Sequence, residues 1–306
     1  MSTERGRGRR RRVLVTGANG YVAGRMLAGL AERHDLTLLD VTMPQPAALG
    51  LAAGGDGPRC VEADLLGDSP ESYADAFDVD AVLHCGHVWP REDAPAAEKL
   101  EIELRNIRMA STVYLCAAES GRSAPPRVVV AGSNHAADYY EPLVLRGDCD
   151  HIDPGMVPRS DNFYGWSKAT VELLGFLWAC GQESSRAVET VNIRIGSPRE
   201  TDVEDCADGD LVCLRRALAA YLSVRDQTEL FLRAIEADDI RDENGTPFQI
   251  VYGISGNSHR FWSLVSARRT LGYEPHDDSQ ERFRSEVNSR VAAVLEKGAA
   301  SLDRGG

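Results

Sequence analysis

Short unbroken apolar runs alternate with stretches of helical period along the first two thirds of this chain. Val13–Thr16, Leu36–Asp40, Cys60–Glu62, Ala81–Cys85 and Val128–Ala131 read as buried strands, and Thr190–Ile195 as a sixth. Glu98–Ser120 and Tyr164–Cys180 are the clearest helices between them. Strands apolar on both faces and separated by helices form a parallel sheet covered on both sides, so the fold class expected is α/β. The pattern then loosens. Pro198–Asp210 reads as an acidic loop, Leu211–Val224 and Gln227–Glu236 as helices, and Phe248–Val251 as a late strand. Residues 274–281 read as a polar hinge before a last helix, and 299–306 as a frayed tail.

The first strand runs directly into Gly17-Ala18-Asn19-Gly20-Tyr21-Val22-Ala23-Gly24. A strand that ends in glycines and opens a helix brings backbone N–H groups to a pyrophosphate. Gly17 suits the tight turn, Gly20 leaves room for phosphates, and Ala23 is small enough for close packing of helix on strand. The second strand ends in Asp40, twenty residues after Gly20, where a carboxylate accepts from both ribose hydroxyls and repels a 2′-phosphate. That favours NAD over NADP; the plain alternative is that Asp40 caps a turn. Asp64-Leu65, after the third strand, then falls beside the adenine. The architecture expected is a Rossmann-type doubly wound parallel sheet with a small C-terminal substrate-binding lobe.

Tyr164 and Lys168 lie one turn apart at the start of a helix. An ammonium group beside a phenol favours the phenolate, which can take a proton from a substrate hydroxyl while hydride leaves the same carbon. The spacing alone is common; its place after a strand ending in Ser133 makes it meaningful, because α/β ligands bind at the carboxyl edge of the sheet. Ser133 is suited to orient the reacting oxygen, and Asn134 and His135 follow as candidates for substrate contacts.

At these residues the chain resembles the extended short-chain dehydrogenase/reductase superfamily, in its NAD-dependent epimerase/dehydratase family, from about Arg12 to Glu274. Within the family it looks most like uronate dehydrogenases. The segments that carry this are Gly132-Ser133-Asn134-His135 with Tyr139-Tyr140, then Phe163-Tyr164-Gly165-Trp166-Ser167-Lys168, residues 189–197, and Val251-Tyr252-Gly253-Ile254-Ser255. The resemblance implies a catalytic set of Ser133, Tyr164 and Lys168. It implies cofactor contacts from Gly17, Asn19, Gly20, Tyr21, Val22, Asp40, Asp64, Leu65, Cys85, Gly86, Asn106 and Ile195, together with Tyr164 and Lys168. Substrate contacts are expected from His87, Ser133, Asn134, His135 and Ser197, and from Arg216 as a carboxylate clamp, with Arg215 as its alternative. It also implies a homodimer joined through Glu98–Ser120 and Tyr164–Cys180. Three features depart from the pattern: Ala23 stands at the third glycine, Trp89 stands where a uronate dehydrogenase offers a small hydroxyl, and the loop between Ser197 and Arg216 carries extra acids.

Composition narrows the partners. Without the six arginines and one glutamate of residues 1–12, the 34 basic and 47 acidic side chains fall to 28 and 46, a net charge of −18. So acidic a body repels nucleic acid. No apolar run is long enough for a membrane span, and the arginines lack the apolar stretch of a signal peptide. Seven scattered cysteines without a C-x-x-C pair suit free thiols in a cytoplasmic protein. His84 and His87 are too few ligands for a metal, so none is expected. The organisation expected is a basic tail over 1–12, an NAD-binding domain over 13–197 with Ser133, Tyr164 and Lys168, a substrate-binding lobe over 198–298 and a tail over 299–306. Net oxidation of a sugar or sugar acid is the leading function. Internal redox by an epimerase or dehydratase, for which Asp138 and Glu141 are candidate extra acids, is the alternative; a non-catalytic NAD-binding protein is the third.

Overall fold

A computed structural model describes residues 10–52 and 57–302. Seven strands form one sheet: β1 (Arg12–Thr16), β2 (Asp35–Asp40), β3 (Arg59–Glu62), β4 (Ala81–His84), β5 (Arg127–Ser133), β6 (Thr190–Ile195) and β7 (Phe248–Gly253). Their order is β3-β2-β1-β4-β5-β6-β7, and the pairs β1–β2, β1–β4, β2–β3 and β4–β5 are parallel. The Rossmann-type α/β fold expected is the one found. Val13, Leu14, Val15 and Thr16 are wholly buried, as the absence of alternation in their sequence requires. The strand order reverses between β1 and β4, the switch point at which such sheets bind ligands.

The chain divides into two compact units. The first runs to Val130 and resumes over Leu174–Thr190. It holds α1 (Tyr21–Gly24), α2 (Leu27–Arg33) and α3 (Ala96–Glu119). Part of the expected basic tail, residues 1–9, lies outside the described residues. Arg10 and Arg12 are built into the fold: Arg12 opens β1, and the Arg10 guanidinium donates to the carbonyls of Ala31, Glu32 and His34 at the end of α2. A cation there satisfies carbonyls that the helix leaves without partners.

The second unit holds Ala131–Leu173 and the chain from Val191 onward. It contains α4 (Glu141–Arg146), the first half of α5 (Phe163–Cys180), α6 (Thr201–Glu204), α7 (Leu211–Ala220), α8 (Val224–Glu236), α9 (Val265–Leu271), α10 (Ser279–Arg282) and α11 (Arg284–Leu302). Four expectations are corrected. The helix expected over Leu211–Val224 stops at Ala220, because Tyr221 pairs with Ser197 and the Ser223 hydroxyl accepts from Asp226 N to cap α8. The loop expected over Pro198–Asp210 contains α6. The hinge at 274–281 closes early, since the Asp278 carboxylate accepts from Gln280 N and starts α10. Cys206 and Cys213 are not free thiols but a disulfide, their Cα atoms 5.8 Å apart, beside a core cluster that includes Leu214, Tyr221 and Phe283. α11 continues to Leu302, and the end of the expected tail lies outside the described residues. Among the described residues no helix is long and apolar enough to cross a membrane.

Candidate active site

In the first unit, Gly17 sits at φ +69°, and a Cβ there would lie 2.5 Å from Gly86 N. Only glycine tolerates both the left-handed backbone and that approach. A Cβ at Gly20 would come within 3.0 Å of the Gly17 carbonyl oxygen, which accepts from Gly20 N. Gly20 precedes α1 in extended conformation with no side-chain cap, and buried Ala23 packs beneath. The turn is a cradle that side chains would fill, and it suits a pyrophosphate. Tyr21 is exposed, with Arg25 over its ring, and Val22 is half-buried.

The Asp40 carboxylate accepts from Asn19 N at 2.9 Å and Val41 N at 2.8 Å, while the Asn19 amide donates to Thr42. Asp40 therefore braces the turn, and its carboxylate keeps further lone pairs for ribose hydroxyls. Asp64 accepts from Leu66 N in a turn, above buried Leu65. At the end of β4, Cys85 N donates to Thr16 O, and His84 Nδ1 lies 2.8 Å from Thr16 Oγ1. Asn106 holds the following loop from both sides: its Oδ1 accepts from Val88 N, and its Nδ2 donates to Val88 O. His87 packs edge-on against Trp89, 3.7 Å from the buried Glu103 carboxylate. These residues fit NAD.

In the second unit, the Ser133 hydroxyl accepts from His135 N at 3.2 Å and caps a 3₁₀ segment, Asn134–Tyr140. His135 Nδ1 meets Asp138 Oδ2 at 2.9 Å, which aims the ring edge-on at Tyr164, centroids 5.6 Å apart. Burial raises the Asp138 pKa, but hydrogen bonds from His135, Ser160 and Asn162, with the His135 charge, hold it below the ordinary value. Lys168 Nζ lies 5.6 Å from the centre of the Tyr164 ring, one turn on. Gly165 lets the start of α5 press against the His135 backbone, since a Cβ there would collide with His135 O. No role for Gly165 was legible in the sequence, since the need for it arises only in the folded contact.

One turn further along α5, buried Glu172 takes Arg194 of β6 in a bidentate ion pair, Nε–Oε1 2.7 Å and Nη2–Oε2 2.8 Å, with Tyr252 Oη accepting at 3.0 Å. Burial pushes the carboxyl pKa up, while the same contact pushes that of Arg194 above its ordinary value. A guanidinium keeps its proton in proteins, so Arg194 is the cation of the pair.

The residues expected to meet substrate are engaged within the protein. Arg216 Nε donates to Glu141 Oε2 at 2.7 Å and Nη2 to Oε1 at 3.4 Å; Asn134 Nδ2 donates to the same Oε1 at 2.9 Å. Arg215 is exposed on α7. Ser197 gives its hydroxyl to Asp202 of α6, and Ile195 is buried at the end of β6.

The sequence profile of the NAD-dependent epimerase/dehydratase family matches residues 13–207. The chain belongs to that family. It is 31% identical over 282 residues to the NAD-dependent glucose-6-phosphate dehydrogenase of Haloferax volcanii, covering 88% of this chain and 94% of that one. It is 30% identical to the L-arabinose 1-dehydrogenase (NAD(P)(+)) of the same organism, covering 88% and 97%. The crystal structure of uronate dehydrogenase from Agrobacterium tumefaciens superposes with a TM-score of 0.66 at 26% identity, covering 91% of this chain and 88% of that one. The cofactor of this enzyme is NAD, and the chain is an NAD-dependent oxidoreductase or epimerase.

Proposed function

We propose that this enzyme oxidises one hydroxyl-bearing carbon of a sugar and releases NADH each turnover. The Tyr164–Lys168 pair carries the reading: the helix sets the ammonium beside the phenol, where it stabilises the phenolate. The phenolate oxygen takes the proton of the substrate hydroxyl as the carbonyl forms. The Ser133 hydroxyl accepts from His135 N and retains its own proton to donate to the reacting oxygen. Asp138 fixes His135 through Nδ1, which turns Nε2 toward substrate. NAD, when bound, supplies the acceptor for the hydride.

Net oxidation is supported over internal redox by three relatives named as dehydrogenases, of glucose-6-phosphate, L-arabinose and uronate. Leu173, Phe176 and Leu177 stand exposed on α5, in keeping with a homodimer through that helix. The test is NADH absorbance with free aldoses, uronates and sugar phosphates. A steady rise supports the reading. Protein that binds NAD, gives no rise, and converts a nucleotide-linked sugar to an isomer would overturn it.

A further inference from the structure

Arg216 reaches the Ser133–Asn134 end of β5 already holding an anion. The Glu141 carboxylate fills its fork with two contacts and also takes the Asn134 amide, and the Glu141 side chain is only 8% exposed. We propose that Glu141 determines specificity: by occupying Arg216 it confines the site to uncharged sugars and turns away uronates and sugar phosphates. The inference rests on the oxidative reading above and adds the class of substrate.

A free guanidinium in such a place binds a carboxylate or phosphate through two parallel hydrogen bonds. Here an incoming anion would have to displace Glu141 and leave a buried carboxylate without its cation. Other expected substrate contacts are matched in the same way: His135 is paired with Asp138, and Asp202 takes the Ser197 hydroxyl. Two of the side chains expected on substrate, Arg216 and Ser197, are thus each matched by a carboxylate of the chain itself. A neutral hydroxyl both donates and accepts, so it joins this network without displacing any member.

Galactose and galacturonate differ only in a hydroxymethyl group against a carboxylate, and they make the test. Their affinities for the NAD-loaded protein are measured by titration calorimetry for wild type, Glu141→Gln and Glu141→Gln/Arg216→Gln. Glu141→Gln keeps the side chain's volume and an oxygen for Asn134 while removing its charge. The expected result is a gain in galacturonate affinity of about tenfold or more in Glu141→Gln, abolished in the double variant, with galactose affinity little changed. Unchanged galacturonate affinity in Glu141→Gln, or wild type that prefers galacturonate to galactose, overturns the inference. Should Glu141→Gln not fold, Glu141→Ala supplies the same comparison. Binding reads out without turnover: the expected gain in protein that releases no NADH would sink net oxidation and leave the charge selection standing.

Discussion

Replacing Gly17 by alanine tests whether the turn after β1 is built around the absence of a side chain. A Cβ in left-handed backbone costs roughly 1–2 kcal/mol. Here it would also lie 2.5 Å from Gly86 N and 2.6 Å from Gly86 Cα, so backbone rather than a flexible side chain must move. Overpacking of that kind adds about 1–3 kcal/mol, for a total of roughly 2–5 kcal/mol. A chain of 306 residues unfolds with an entropy near 0.6 kcal/mol per degree, so the melting temperature should fall by about 3–8 °C. NAD affinity should fall with it by about tenfold or more, since on the proposed reading the N–H groups of this turn bind the pyrophosphate. Gly24→Ala is the control: nothing lies within 4 Å of its added Cβ, and alanine in a helix gains about 0.5–1 kcal/mol over glycine. Calorimetric melting and NAD titration of the two variants decide the matter. Gly17→Ala that melts and binds NAD like Gly24→Ala would refute the reasoning.

Three further outcomes are expected. Glu172→Ala strands the buried Arg194 guanidinium and should lower the urea-derived stability by about 3–5 kcal/mol, whereas Glu172→Leu/Arg194→Met should recover most of it; a single-variant loss under about 1 kcal/mol would contradict the ion pair's role. The Asp138 pKa is held below its ordinary 3.8, so the stability it contributes is present above that value and is lost as pH falls through the folded one. Asp138→Asn should therefore trail wild type at neutral pH, with the gap in urea midpoint closing below about pH 4. Cys206→Ser/Cys213→Ser opens a loop of sequence separation 7 and should cost about 2 kcal/mol, with dithiothreitol producing a matching loss in wild type and none in the variant.

The strands were legible because buried parallel strands are written as unbroken β-branched runs. Thr190–Ile195 was located to the residue, and the start of β1 shifted only to Arg12. The turn at Gly17 and the Tyr164–Lys168 pair were legible for a related reason: each is a local arrangement whose chemistry needs fixed spacing. What escaped depends on contacts that only the folded chain makes, most of them distant in sequence. Glu141 and Arg216 are 75 residues apart, and nothing near either foretells that one fills the other. Helical periodicity runs on through Tyr221 to Val224, but Ser197 and Ser223 compete for that backbone and break it. The Cys206–Cys213 bridge follows no familiar spacing, and only the turn that packs α6 against α7 brings the two sulfurs together.

Whether Tyr164 is the proton acceptor in sugar oxidation is decided by initial rates of NADH formation for wild type and Tyr164→Phe, with NAD affinity measured alongside. The rate expected for Tyr164→Phe is reduced about 10²–10⁴-fold with NAD binding intact. A Tyr164→Phe enzyme that turns over within a few-fold of wild type would contradict that role.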